Sequence, residues 1–130
     1  MAEPLGSVRQ ELREALKSFV DPVGKVLTEE QTMKVEASYA ASGLKEKNTA
    51  QRIKAIEFLE ILPGNPYAEE HLLNALQDRE GAVVQKAVSA LSKVGTAGSA
   101  PQLREFLKTC RSRQVVAELS RLLSKLEKGN

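Results

Sequence analysis

Asn65–Gly95, NPYAEEHLLNALQDREGAVVQKAVSALSKVG, holds two amphipathic helical patterns joined by almost no loop. Asn65 is a helix-capping residue, and Pro66 occupies the first helical position, where a missing N–H costs nothing. The first pattern then runs through Leu72, Leu73 and Leu76 to Asp78. The second places Val84, Ala87, Val88, Leu91 and Val94 at three- and four-residue spacing, a stripe that must be buried against something. Gly95 follows it, where a left-handed residue commonly ends a helix. One hairpin cannot hide two such faces. It needs a neighbour on each side, and stacking of like hairpins supplies them.

A shift of about 31 to 32 residues brings such neighbours out of the rest of the chain. It sets Ile56 on Val88 on Leu119, and Leu59 on Leu91 on Leu122, with Ala55 on Ala87. The preceding helices match as well, Leu72 with Leu103 and Leu76 with Leu107, each set following a cap and a proline (Asn65 and Pro66, Ser99 and Pro101). This is the period of two-helix solenoid units. Upstream, Thr28 and Gln31 form a capping-box pattern with Glu29 and Glu30 in the first turn. The helix they start carries Met33, Ala37, Ala40, Ala41 and Leu44, a face small enough for a neighbour to come close. Asn48 caps the return helix, whose stripe is Ile53, Ile56, Leu59 and Leu62 before Pro63 and Gly64 stop it. The last hairpin runs from Ser99 through Leu103, Phe106 and Leu107, turns at Thr109 and Cys110, and returns through Val115, Val116, Leu119, Leu122, Leu123 and Leu126.

Ser7 is read as the start of one further helix, with Val8, Leu12, Ala15, Leu16 and Phe19 on one face and Arg9, Arg13, Glu14 and Lys17 off it. That segment fits an amino-terminal cap on the stack. Asp21, Pro22 and Gly24 end it, and Val23, Val26 and Leu27 tuck the connecting loop under the next helix. No segment alternates with period two. The expected organisation is one domain over 1–130, with a capping helix at 7–20 and repeats at 28–62, 65–95 and 99–128. The fold class is all-α, a right-handed α-solenoid of about three helical hairpins with the amino-terminal capping helix.

The stretch LLNALQDREGAVVQKAVSALSKVG resembles the HEAT repeat family, in particular its short-repeat branch, similar to the repeats of phycobilin lyase subunits. Leu72, Leu76, Asp78, Val83, Ala87, Leu91 and Gly95 stand where that family has its first-helix leucines, turn aspartate and second-helix valine, alanine, leucine and glycine. The resemblance covers roughly Thr28 to Lys128. The family commonly has an arginine after the second-helix valine; here Arg52 takes that place in the first repeat, whereas Val84 and Val115 replace it in the others. The family's ladder of aspartate and arginine between repeats is therefore not expected to run through the chain. The resemblance implies second helices lining a concave side, first helices forming a convex one, and a scaffold for binding other proteins.

Composition narrows the function further. The chain has 130 residues, 42% of them apolar, enough for one core, and with aromatics at 4% that core must be aliphatic. A formal charge of +2 does not announce nucleic acid or an acidic membrane. Cys110 is the single cysteine, so no disulfide framework exists, and no apolar amino-terminal stretch reads as a signal peptide or membrane span. A cytoplasmic setting is the expectation. His71, beside Glu69, Glu70 and Asn74, lacks a second histidine or cysteine cluster to complete a metal site. Cys110 has cationic neighbours in Lys108, Arg111 and Arg113, yet no histidine near it in sequence to serve as a base. Gly95 and Gly98 lack the lysine and hydroxyl of a phosphate loop. No catalytic residue, cofactor or metal is expected, and the chain is read as no enzyme.

The resulting expectation is a non-catalytic scaffold or adaptor that binds a protein partner through its second helices, as a monomer or as a subunit of a larger assembly. The positions read as pointing away from the buried stripes are Arg52, Lys54, Glu57 and Glu60 in the first repeat, and Gln85, Ser89, Ser92 and Lys93 in the second. Arg113, Ser120, Arg121 and Ser124 complete the set in the third. Two alternatives stand beside it. One is an accessory subunit of a bilin lyase-like enzyme, found with a second subunit and a tetrapyrrole. The other is nucleic-acid binding by the basic carboxyl-terminal segment, where Arg104, Lys108, Arg111, Arg113, Arg121, Lys125 and Lys128 outnumber Glu105, Glu118 and Glu127. Against that alternative, only Phe106 lies close enough to stack a base, and it sits on the apolar face.

Overall fold

Four helix starts in the computed structural model follow side-chain caps. The structure describes residues 5–17 and 27–128, and the chain forms seven α-helices and no strand among them. Helix α1 is Leu5–Lys17. Thr28 Oγ1 accepts from Gln31 N at 3.1 Å and Gln31 Oε1 accepts from Thr28 N at 2.8 Å, the reciprocal capping box, and α2 spans Glu29–Ala41. Asn48 Oδ1 accepts from Ala50 N and Gln51 N to open α3, Thr49–Leu59. Asn65 Oδ1 does the same for Tyr67 N and Ala68 N, with Pro66 first in α4, Pro66–Ala75. Helix α5 is Gly81–Val94, α6 is Ala100–Thr109, and α7, whose first turn is capped by Ser112, is Arg113–Glu127.

These helices pair as hairpins, α2 with α3, α4 with α5 and α6 with α7, and the hairpins stack. Second helix packs on second helix, α3 on α5 and α5 on α7, while first helices α2 and α4 pack on each other. The core between them is aliphatic. Ile56, Leu59, Leu62, Leu72, Leu91, Leu103 and Leu119 are wholly buried, at roughly 1.5–3 kcal/mol of transfer free energy for each such side chain. In α2 the small face takes effect as expected, since Ala37, Ala40 and Ala41 are buried and let α3 and α4 approach. A Cβ on Gly43 would stand 3.1 Å from Ala55 Cβ and 3.2 Å from the Gln51 carbonyl oxygen, so this glycine keeps the short 3-10 turn Ser42–Lys45 against α3. Helix α6 departs from the pattern. It packs on α7 but makes no comparable contact with α4, and a cleft of about 450 Å³ opens between them, bounded by Leu73, Gln77, Gln102 and Phe106.

Polar ties stitch successive hairpins. Asn65 uses its second amide atom to donate to the Met33 carbonyl at 2.9 Å, so one side chain caps α4 and docks it on α2. Glu69 of α4 accepts from Thr96 N at 2.7 Å and from the Thr96 and Ser99 hydroxyls, fixing the α5–α6 connection. Ser99 was expected to cap α6; its hydroxyl instead donates to Glu69 and makes no capping bond. Gly95 is not left-handed as expected but extended, with φ −70° and ψ 153°. A Cβ there would meet the Leu91 carbonyl oxygen at 2.4 Å, so glycine is required by close approach. Among the described residues the left-handed glycine is Gly64, at φ 81°, where α3 gives way to α4.

Helix α1 is already under way at Ser7 and packs on α2. Its docking differs from the expected apolar cover. Val8 packs against the core, Leu12 and Leu16 are half-buried, and Ala15 is exposed. The firmer contact is made by the polar residues. Arg9 Nε donates to Glu36 Oε2 at 2.9 Å, and Arg13 donates through Nε at 2.8 Å and Nη2 at 3.1 Å to the same carboxylate, which is wholly buried in α2. Burial by itself pushes the Glu36 carboxyl up, and the hydrogen bonds of Arg13 and Arg9 outweigh it and hold it below the usual range. Phe19, Val23 and Val26 lie outside the described residues.

Candidate protein-interaction face

The stacking order of the second helices puts α3, α5 and α7 side by side, so a residue on the outer strip of one neighbours the outer strip of the next. A groove of about 450 Å³ runs between α5 and α7. Its floor is Val88 and Leu122, its α5 bank is Gln85, Ser89 and Ser92, and its α7 bank is Glu118, Arg121 and Lys125. Lys125 Nζ spans the groove and donates to the Ser92 carbonyl at 2.7 Å. Ser92 Oγ in turn donates to the Ser89 carbonyl at 2.6 Å, as serines in helices commonly do toward the preceding turn.

Four of the twelve expected positions thus converge on one groove, namely Gln85, Ser89, Ser92 and Arg121. Lys93 is exposed on α5, and Lys54 is exposed and Glu57 half-buried on α3, outside the groove. Arg113, Ser120 and Ser124 are exposed on α7. At about 100° per residue they stand some 60–100° around the helix from Arg121, away from the groove. Glu118 and Lys125 were not among the expected positions. They lie three residues before and four after Arg121, so helical spacing alone would have placed them beside it.

Two expected contact residues are corrected by the geometry. Arg52 is buried, 6% exposed, and cannot reach a partner from where it stands. Its Nε donates to Asp78 Oδ2 at 2.8 Å and its Nη2 to Oδ1 at 3.3 Å, while Nη1 donates to the Glu46 and Lys47 carbonyls at 2.9 and 2.8 Å. It is four residues before Ile56 and therefore on the buried side of α3. The ion pair is the one rung of an arginine–aspartate ladder that the sequence retains, joining the first repeat to the turn of the second. Glu60, four residues after Ile56, is likewise turned inward, its side chain only 13% exposed. Its Oε1 lies 3.6 Å from both Lys86 Nζ and Lys93 Nζ, and its Oε2 is buried without a hydrogen-bond partner among the described residues.

The remaining sites considered from sequence are structurally ordinary. His71 is half-buried on α4. Cys110 is half-buried in the α6–α7 turn and packs against the core. Among the described residues no group of histidine, cysteine and carboxylate side chains is arranged to hold a metal ion, and no helix is long and apolar enough to cross a membrane.

No curated protein and no solved structure matches the chain. A family model described as HEAT repeats matches residues 39–124, from the end of α2 to within α7. The match is to HEAT repeats at large and does not single out the phycobilin lyase branch. With two thirds of its length matched and its helical hairpins stacked on one aliphatic core, the chain belongs to the HEAT repeat family.

Proposed function

We propose that this chain is a non-catalytic binding module, a scaffold or adaptor whose protein partner lies along the exposed strip of the second helices. HEAT repeats generally mediate protein–protein interaction and are typically non-catalytic. The observation that carries the reading is the α5–α7 groove, where Gln85, Ser89, Ser92 and Arg121 converge with Glu118 and Lys125 on an exposed, polar-rimmed channel. The groove faces the surface, bridged at one point by Lys125, and is not an enclosed cavity, which suits a side of another macromolecule better than a small substrate. A reduced, cytoplasmic setting with the chain as a monomer or a subunit is part of the same proposal, resting on the lone Cys110.

Affinity capture from lysate of the source cells, with the folded chain and a Ser89→Trp variant as parallel baits, tests it. Ser89 is exposed, so the variant keeps the fold while the indole fills the groove. The proposal expects a defined protein that survives a high-salt wash on the parent chain and is lost from the variant. Equal recovery on both baits would remove the groove from the interface. Recovery of nucleic acid alone, and only at low salt, would replace the protein-binding reading with a phosphate-binding one.

A further inference from the structure

We infer that the segment held in the α5–α7 groove is acidic, a stretch of a protein partner whose carboxylates face α7. This rests on the groove being the binding face, as proposed above. The observation is what remains of the charge in the last repeat after its internal ion pairs are formed. Its acids are Glu105, Glu118 and Glu127. Glu105 is taken by Lys108 at 2.9 Å and Glu127 by Arg104 at 2.5 Å, both pairs involving α6 and lying away from the groove. Arg111, Arg113, Arg121, Lys125 and Lys128 are left without a carboxylate partner among the described residues, and Glu118 is the single unpaired acid facing them.

These cations are ordered rather than scattered. At about 100° per residue Arg121 and Lys125 on α7 and Lys128, which caps it, lie within roughly 60° of one another, while Arg113 stands outside this strip. At about 1.5 Å per residue the strip from Arg121 to Lys128 is roughly 10 Å long, enough to meet two turns of a docked helix or a shorter extended stretch. The facing bank is neutral. Gln85, Ser89 and Ser92 offer hydrogen-bonding groups without charge, above a floor of Val88 and Leu122. A segment with carboxylates on one flank and neutral groups on the other fits both banks at once. A phosphate backbone fits less well, because cations line only one bank of the groove. Among the described residues no aromatic side chain lines the groove, and Phe106, the aromatic of the last repeat, packs against the core.

The test uses three labelled probes against the full chain. They are a 16-residue peptide of glutamate, alanine and leucine with the leucines at helical spacing, its counterpart with every glutamate replaced by lysine, and a 16-nucleotide single-stranded DNA. Fluorescence anisotropy gives affinity, and amide chemical shifts give the location. The acidic peptide is expected to bind, to shift the amides of Ser89, Ser92, Arg121 and Lys125, and to weaken about tenfold or more in an Arg121→Glu, Lys125→Glu double variant and on raising salt from about 50 to 300 mM. Both positions are exposed, and an unchanged helical signal confirms the variant's fold. The inference is overturned if the acidic peptide does not bind, if the lysine peptide binds equally, if DNA binds more tightly, or if the shifts fall elsewhere. Loss of the natural partner by Ser89→Trp together with no binding of the acidic peptide would sink the charge inference alone; intact capture by Ser89→Trp would sink the groove itself.

Discussion

Replacing Arg52 by methionine should cost stability rather than partner affinity, although the residue sits on a second helix and is charged. Methionine keeps most of the aliphatic volume, so the change isolates the guanidinium. Four hydrogen bonds go with it, two to Asp78 and one each to the Glu46 and Lys47 carbonyls. Asp78 cannot recover its loss from water, because its side chain is only 13% exposed and that of Arg52 7%. Hydrogen bonds to charged groups contribute about 1.5–3 kcal/mol each but do not add, and breaking a buried pair from one side costs about 3–5 kcal/mol. We expect a loss of about 3–5 kcal/mol, against a total of roughly 6–20 kcal/mol for a chain of this size. The midpoint of thermal unfolding should fall by about 10–20 °C. Urea unfolding followed by circular dichroism measures the loss. A double-mutant cycle with Asp78→Asn should return a coupling of about 1–3 kcal/mol. An Arg52→Met chain within about 1 kcal/mol of the parent would refute the argument, since it would mean that water or another residue replaces the guanidinium at no cost.

Leu91, wholly buried on α5, should lose about 2–5 kcal/mol on replacement by alanine, and a loss below about 0.5 kcal/mol in the same unfolding experiment would put the stripe on the wrong face. The glycines at the two ends of α5, Gly81 within it and Gly95 just after it, should respond oppositely to alanine. Gly95→Ala should lose about 1–3 kcal/mol against the Leu91 carbonyl, while Gly81→Ala, with open space around its Cβ, should be neutral or gain about 0.4–1 kcal/mol. For Glu36 the folded carboxyl titrates below its unfolded value, so its contribution is complete above about pH 4.5 and is lost as pH falls through the lowered folded value. Acid should therefore release α1 from α2 in the parent chain, read as proteolytic cleavage near Arg9 and Arg13, and a Glu36→Gln chain should show no such step between neutral and acid pH.

Much of the fold was legible because its determinants are local. The capping box at Thr28, the caps at Asn48 and Asn65 and the aliphatic stripes of α3, α5 and α7 each involve residues within a few positions of one another, and they hold in the structure. The misread residues share a different character. Glu36 stands three residues after Met33 and four before Ala40, on the buried face, yet a carboxylate there reads as an exception until Arg9 and Arg13 arrive from another helix. Arg52 and Glu60 flank Ile56 by four residues each, and a stripe drawn from apolar positions alone left them outside it. Of the candidate face, the α5 bank was legible, while Glu118 and Lys125 were passed over because no reading of one helix shows which flank its neighbour covers.

The sequence by itself determined that this is a repeat of helical hairpins with an aliphatic core, because periodicity, caps and breakers act over a single turn of helix and need no partner to be read. Only the tertiary structure decided which polar side chains are spent inside the molecule and which remain for another. A solenoid helix is touched from its own hairpin partner and from the repeats on either side. The buried fraction of Arg52 or Glu36, and the free charge of Arg121, therefore depend on groups more than twenty residues away, whose approach sets both the desolvation of a charge and the pairing that offsets it.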